Sequence, residues 1–167
     1  MLTNQAVIED IIQKFGDQAI TDVHEPYNLL TFTTKRELIL EVLEYLRDHK
    51  EFQHSFLTTM CAIHYPDQKG QELAMMYQLH SLVHNHRVRI KIFFPIEDPV
   101  VPTATNLFLS ANWMEREAYD FFGVIFTGHP NLIRILNMED MDYFPLRKEY
   151  PVEDPMRRDK EDAMFGR

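Results

Sequence analysis

Between Phe56 and Phe94 apolar residues recur at every second position, and this period constrains the fold more than any other feature of the chain. Leu57, Thr59, Cys61, Ile63 and Tyr65 share one face of a segment that ends at Pro66, and Asp67 to Gly70 supplies a turn. Leu73, Met75, Tyr77 and Leu79 then alternate with mostly polar neighbours. Beyond a polar break at His84-Asn85-His86, Val88, Ile90, Ile92 and Phe94 alternate with Arg87, Arg89, Lys91 and Phe93. Successive side chains of a strand point to opposite faces, so the pattern predicts three strands with short connections, an antiparallel meander with one wet face.

The flanking segments read differently. Val7, Ile8, Ile11, Ile12 and Phe15 stand at helical spacing, and Gly16 suits a helix stop. Residues 17–34 read as extended and are broken in two by Pro26. Thr34-Lys35-Arg36-Glu37 has the form of a capping box ahead of the apolar stripe Leu38, Ile39, Val42, Leu43 and Leu46. Pro95 to Pro102 reads as a linker, Thr103 as the cap of a short helix through Leu109, and Asn112 as the cap of a helix that stops at Gly123. The fold class that follows is α+β: a mostly antiparallel sheet with helices on one side, then a C-terminal helical motif and an extended tail. The division is 1–136 for the α+β domain and 137–167 for the tail. Residues 145–167 hold three prolines and twelve charges with no sustained apolar period, too little to fold alone. Leu146, Tyr150, Val152 and Met156 recur along it as anchors for an extended segment on a neighbour.

Composition bounds the chemistry. One cysteine, Cys61, can neither close an intrachain disulfide nor supply the thiolates of an iron–sulfur cluster. The five glycines form no phosphate loop, so no nucleotide site is expected. With 17 basic and 26 acidic residues the net charge is -9, which speaks against nucleic acid as a partner. No apolar run approaches the roughly 20 residues of a membrane span, and the start has neither signal-peptide nor transit-peptide character. A protein of a reducing compartment is expected, reaching a membrane only by docking.

Three clusters carry candidate chemistry. Glu115, Glu117 and Asp120, with His129 nearby, could ligate a metal or serve acid–base chemistry, as in a stand-alone metal-dependent hydrolase. The same acids also suit a helix start, with Arg116 on a solvated face. His80, His84 and His86 lack clean chelate spacing and read more simply as a hairpin turn. Arg87, Arg89 and Lys91 make a positive row on one strand face, solvated or meeting an acidic partner. Aromatic residues crowd the region around Trp113, Tyr119 and Phe122, which suits either a core or the centre of an interface.

The run from Trp113 to Leu136, WMEREAYDFFGVIFTGHPNLIRIL, closely resembles the signature of the C-subunit family of NADH:quinone oxidoreductase, respiratory complex I. Pro145-Leu146-Arg147-Lys148-Glu149-Tyr150-Pro151 resembles that family's second signature. Ile133 stands where the family usually has Arg, and Tyr143-Phe144 where a Gly-His pair is usual. The resemblance implies a peripheral-arm subunit without catalytic, cofactor or metal residues of its own. FMN and iron–sulfur clusters would lie in partner subunits, and NADH oxidation and quinone reduction would belong to the proton-pumping assembly. It implies docking beside the quinone-site D-subunit, on the cytoplasmic face of a bacterial inner membrane. The equivalent subunit of a membrane-bound hydrogenase or of a ferredoxin-using relative is a related alternative. The residues carried over as interface signature are Trp113, Glu115, Arg116, Glu117, Asp120, Phe122, Gly123, Gly128, His129, Pro130 and Arg134. Pro145, Leu146, Arg147, Lys148, Tyr150 and Pro151 complete the set. Within it, Glu115 and Glu117 are expected to cap the helix or pair with arginines, and Gly128-His129-Pro130 to form a turn.

Overall fold

The computed structural model describes residues 2–151. Helix α1 (Asn4–Phe15) is capped by Thr3, whose hydroxyl accepts from the Ala6 amide, and it ends at Gly16. Strands β1 (Ile20–His24) and β2 (Leu30–Thr34) flank a turn at Pro26–Asn28, as the proline break predicts. Helix α2 (Ile39–Asp48) leads into β3 (Phe56–His64), β4 (Leu73–Ser81) and β5 (His86–Phe94), the expected meander. The five strands lie in the order β1-β2-β5-β4-β3. All pairs are antiparallel except β2 with β5, where Leu30 stands beside Val88 and Phe32 beside Ile90. The chain between those two strands passes through α2, β3 and β4, a connection long enough to return in the same direction.

Alternation places one residue set inward. Leu30, Phe32, Tyr77, Leu79, Ile90 and Ile92 are fully buried and share a core with Val7 and Ile11 of α1 and Ile39, Val42, Leu43 and Leu46 of α2. At roughly 25 cal/mol per Å² of apolar area removed from water, this layer is the main stabilising term. The α+β class therefore stands, with α1 and α2 on the inward side of the sheet. Helix α3 (Ala111–Phe122) packs against the edge strand β3.

The structure departs from four local expectations. In β3 the residues from Leu57 to Ile63 do not share one face: a bulge between Leu57 and Thr59 shifts the register, so Leu57, Met60 and Ala62 are buried while Thr59, Cys61 and Ile63 turn to the other face. Thr34 does not cap α2: it is the last residue of β2, its hydroxyl donates to the Ala19 carbonyl at 2.7 Å, and a 3-10 turn at Arg36–Leu38 precedes the helix. The linker at Pro95–Pro102 contains a strand, β6 (Val100–Pro102), parallel to β7 (Ile125–Thr127). No helix forms between Thr103 and Leu109. The Thr103 hydroxyl accepts from the Thr105 amide at 3.2 Å and donates to Glu115, but the amides of Leu107 and Phe108 both reach the Ala104 carbonyl in isolated turns that do not continue as a helix.

Of the β4–β5 hairpin histidines, His86 alone joins a partly buried pair of imidazoles, while His80 bonds to Asn85 in the turn and His84 is exposed. His86 Nδ1 lies 3.0 Å from Nε2 of His54, and His86 Nε2 lies 2.8 Å from Oδ1 of Asn4 on α1. Burial, then the imidazoles of His86, His84, His80 and His49, lower the His54 pKa from 6.5 to about 3. His54 is thus neutral in the fold but takes up a proton below pH 6.5 when unfolded, so its stability contribution is present above 6.5 and lost as pH falls toward 3. The stability gap between the natural chain and His54→Gln should narrow by about 1.4 kcal/mol per pH unit between roughly pH 6.5 and 4.5. Urea titrations of both proteins at a series of pH values measure this; a gap constant with pH would contradict it.

Candidate functional site: a carboxylate-anchored C-terminal lobe

Helix α3 begins earlier than a cap at Asn112 would set: Ser110 precedes it and Asn112 lies in its first turn. It ends where expected, at Gly123, whose φ of 75° and ψ of 27° are left-handed and whose amide returns to the Tyr119 carbonyl. The spacing of its acids directs each to a different task. Asp120 is fully buried. Its Oδ1 accepts from Arg134 Nη1 at 2.9 Å and Asn137 Nδ2 at 3.0 Å, while Oδ2 accepts from the amides of Ile135, Leu136 and Asn137 at 2.8–3.1 Å. Burial alone would raise its pKa, but these bonds outweigh it and hold the carboxyl well below its ordinary value. Arg134 also donates to the carbonyls of Asp120, Met141 and Tyr143. One ion pair thereby organises the backbone from 134 to 143.

Glu115, also fully buried, faces the other way. Its two oxygens accept from the Thr103 hydroxyl at 2.6 Å and the Ala104 amide at 2.7 Å. Burial pushes its pKa from 4.5 up to about 7, against the lowering effect of those two donors. Neither Glu115 nor Glu117 pairs with an arginine among the described residues, contrary to the expectation; Glu117 is exposed on α3. Arg116 instead donates to the carbonyls of Ile133 and Arg134 and lies over the Trp113 ring, 4.8 Å from its centroid. His129 follows Gly128 in a turn. Its Nε2 donates to the Asn112 carbonyl and its Nδ1 accepts from the Asn131 amide, two partners that fix the tautomer. Glu115, Glu117, Asp120 and His129 are therefore not gathered into a ligand set, and among the described residues no group of three His, Cys, Asp or Glu could hold a metal ion. The hydrolase alternative loses its site.

The second signature folds back on the first. The Leu146 amide donates to the Phe121 carbonyl, Arg147 Nε to the Phe122 carbonyl at 2.8 Å, and the Lys148 amide to Nδ1 of His64 on β3. Phe144 lies between two guanidiniums, 5.2 Å from Arg134 and 4.6 Å from Arg147. Of the tail expected over 137–167, residues 137–151 thus attach to α3 and β3, and residues 152–167, with Val152 and Met156, lie outside the described residues. Trp113, Leu136 and Leu146 remain more than half exposed, and Tyr150 is exposed beside Tyr143. Pro130 and Pro151 are exposed and Pro145 is half-buried. Thr103, Asn137, His64 and Phe144 complete the lobe without any sequence motif that marks them as its members. Thr103 carried only the signal of a helix cap and Phe144 that of a departure from the family pattern, while Asn137 and His64 carried none.

Fold and site define a class: an α+β domain whose signature charges bond its own C-terminal lobe while apolar side chains face outward. The chain belongs to the family described as the respiratory-chain NADH dehydrogenase 30 Kd subunit, which matches residues 32–156. It is 37% identical to the NADH-quinone oxidoreductase C-subunit of Mycolicibacterium gilvum over 87% of this chain and 66% of that one. It is 42% identical to the corresponding C-subunit of a Nocardioides species over 74% of this chain and 49% of that one. The chain thus spans between about half and two thirds of the length of these curated relatives. Among solved structures, the trypsin-resistant fragment of Nqo5 superposes with a TM-score of 0.63 at 30% identity, covering 75% of this chain and 99% of the fragment. The fold is also shared, at TM-score 0.73 and 19% identity, with a chain of the membrane-bound sulfane sulfur reductase, an archaeal respiratory membrane complex; the match covers 89% of this chain and 85% of that one.

Two outcomes test the lobe. A Cβ on Gly123 would sit 2.5 Å from Phe144 and 2.7 Å from Arg147, whereas one on Gly16 meets nothing within 4 Å, although both have positive φ. Gly123→Ala should cost about 2–4 kcal/mol, left-handed strain plus overpacking, whereas Gly16→Ala, at a ψ of 162° that glycine almost alone adopts, should cost about 1–3 kcal/mol from backbone strain alone, both by urea unfolding. For Glu115 the folded pKa exceeds the unfolded one, so stability is lost as pH rises from 4.5 through about 7. Glu115→Gln should therefore stabilise the chain more at about pH 8 than at about pH 5, and the Glu115 carboxyl carbon should titrate near 7 by NMR. A midpoint near the ordinary value of about 4.3 would contradict this assignment.

Proposed function

We propose that this chain is a peripheral-arm subunit of a proton-pumping NADH:quinone oxidoreductase that docks beside the quinone-site D-subunit. Membership of the 30 Kd subunit family, with relatives named as C-subunits of NADH-quinone oxidoreductase, carries this reading. Electron transfer from NADH to quinone belongs to the assembly, through FMN and iron–sulfur clusters of partner subunits; this chain's part is to hold surfaces in place. A single cysteine supports the absence of a cluster of its own. The internal bonds of Glu115, Asp120, Arg134 and Arg147 support a positioning role for the signature. Trp113, Leu136, Leu146 and Tyr150 supply the apolar contact area that an interface within the complex buries.

No helix among the described residues is long and apolar enough to cross a membrane. The chain reaches the cytoplasmic face of the bacterial inner membrane through its complex, and residues 152–167 serve as a partner-binding tail. NADH is favoured over ferredoxin or hydrogen as electron source by the named function of the relatives at 37% and 42% identity.

A tagged chain recovered from detergent-solubilised membranes should bring the quinone-site subunit with it, together with NADH-driven quinone reduction. Leu136→Glu and Trp113→Glu should lower that recovery about tenfold, as charges placed at interface anchors do, while leaving the circular dichroism of the purified chain unchanged. Recovery of hydrogenase subunits, or undiminished assembly of both variants, would refute the reading.

A further inference from the structure

The sheet face turned away from α1 and α2 carries a feature that the C-terminal lobe does not use. On β5, Arg87, Arg89 and Lys91 occupy alternate positions and therefore project from that face in a row, about 6.7 Å apart along the strand. Their cross-strand neighbours are Thr31 and Thr33 on β2 and His80, Gln78 and Met76 on β4, none of them acidic. In a chain of net charge -9, none of the three cations is ion-paired to a carboxylate among the described residues. Gln78 holds one arm of Arg89 at 3.3 Å, and Arg89 Nε is buried without an acceptor.

A cleft of about 710 Å³ opens at the Arg87 end, lined by Arg87, Arg89, Gln78 and His86 on one side and by Tyr27 and Asn28 on the other, with no acid in its wall. Tyr27 and Asn28 have φ of 55° and 63°, consecutive left-handed residues that leave the Tyr27 ring wholly exposed at the rim. Two arginines without acidic partners beside an exposed tyrosine have the composition of an interface anchor.

We propose that this open sheet face binds an extended acidic segment of a partner protein, whose alternate carboxylates lie along Arg87, Arg89 and Lys91 while Tyr27 packs against its end. An extended chain has the same two-residue repeat as the strand beneath it, so successive acids match successive cations. The chain's net negative charge disfavours nucleic acid on the same face, whereas the local row steers a short acidic strand. Among the described residues Tyr27, Arg87, Arg89 and Lys91 make no hydrogen bond or ion pair to the C-terminal lobe, so substitutions at either surface test it independently of the other.

A fluorescein-labelled peptide of alternating Glu and Thr, titrated with the full chain and followed by anisotropy, tests it. Binding that weakens with salt is expected, with Arg89→Gln weakening it about three- to fivefold and the triple Gln variant of Arg87, Arg89 and Lys91 abolishing it. Trp113→Ala should bind as the natural chain does, and the Arg89 Nε–H resonance should move on addition of peptide. Equal binding by the triple variant, or no binding to the natural chain, would overturn the proposal. Displacement of the peptide by inorganic phosphate at comparable concentration would overturn it too, and make the cleft a small-anion site.

Discussion

Asp120 is the constraint on which the C-terminal lobe depends. A carboxylate taken fully out of water must be paired and saturated with donors, and here five donors from Arg134 and residues 135–137 converge on it. The segment after β7 has little regular structure of its own, so its backbone amides would otherwise have to be satisfied by water. By accepting three consecutive amides, one side chain on a helix acts as the fixed end of an irregular loop. Arg134 extends the arrangement by reaching the carbonyls of Met141 and Tyr143, which brings Phe144 and Arg147 under the end of α3.

The consequence is a division between inward charge and outward hydrophobe. Glu115 and Asp120 point into the protein from a helix whose Trp113 faces out, an inversion of the usual amphipathic arrangement. Such an arrangement destabilises unless every buried lone pair is used, and the hydrogen bonds of both carboxylates show that most are. The result is a fixed surface of apolar side chains carried on backbone that could not hold itself. Gly123 obeys the same constraint of space: it is left-handed and pressed against Phe144 and Arg147, so any side chain there must displace one of them. The Phe144 ring, in a place where the family usually has a different residue, fills the gap between two guanidiniums and so ties the two signatures together.

The other end of the molecule shows the opposite logic. The imidazoles of His54 and His86 are kept neutral by burial while tying Asn4 of α1 to the β4–β5 hairpin. Glu115 titrates in an overlapping range with the opposite sign, since burial raises a carboxyl and lowers an imidazole. Acidification from about 7 toward 4.5 therefore favours the folded state at one end of the domain and disfavours it at the other.

Elements whose period is local could be read from the residues alone. The alternation of β4 and β5, the apolar stripe of α2 and the glycine stops after α1 and α3 each depend on neighbours a few residues apart and were legible. The buried face of β3 was not, because a bulge between Leu57 and Thr59 shifts its register. The family could be read too, because the ordered signature from Trp113 to Leu136 survives without knowledge of its contacts. The pairings between distant residues emerge only in the folded chain: β2 alongside β5, β6 alongside β7, Thr103 with Glu115 rather than with a helix of its own. Thr34 illustrates the reason. Its local pattern matched a capping box, but pairing with Ile20 keeps Thr34 in strand β2, so the chain turns only after Lys35 and the helix starts too late for Thr34 to cap it. Glu115 and Asp120 likewise looked like ordinary acids of a helix. Their burial, and hence their roles, follows from where the sheet edge and the loop after β7 come to lie, which no residue spacing encodes.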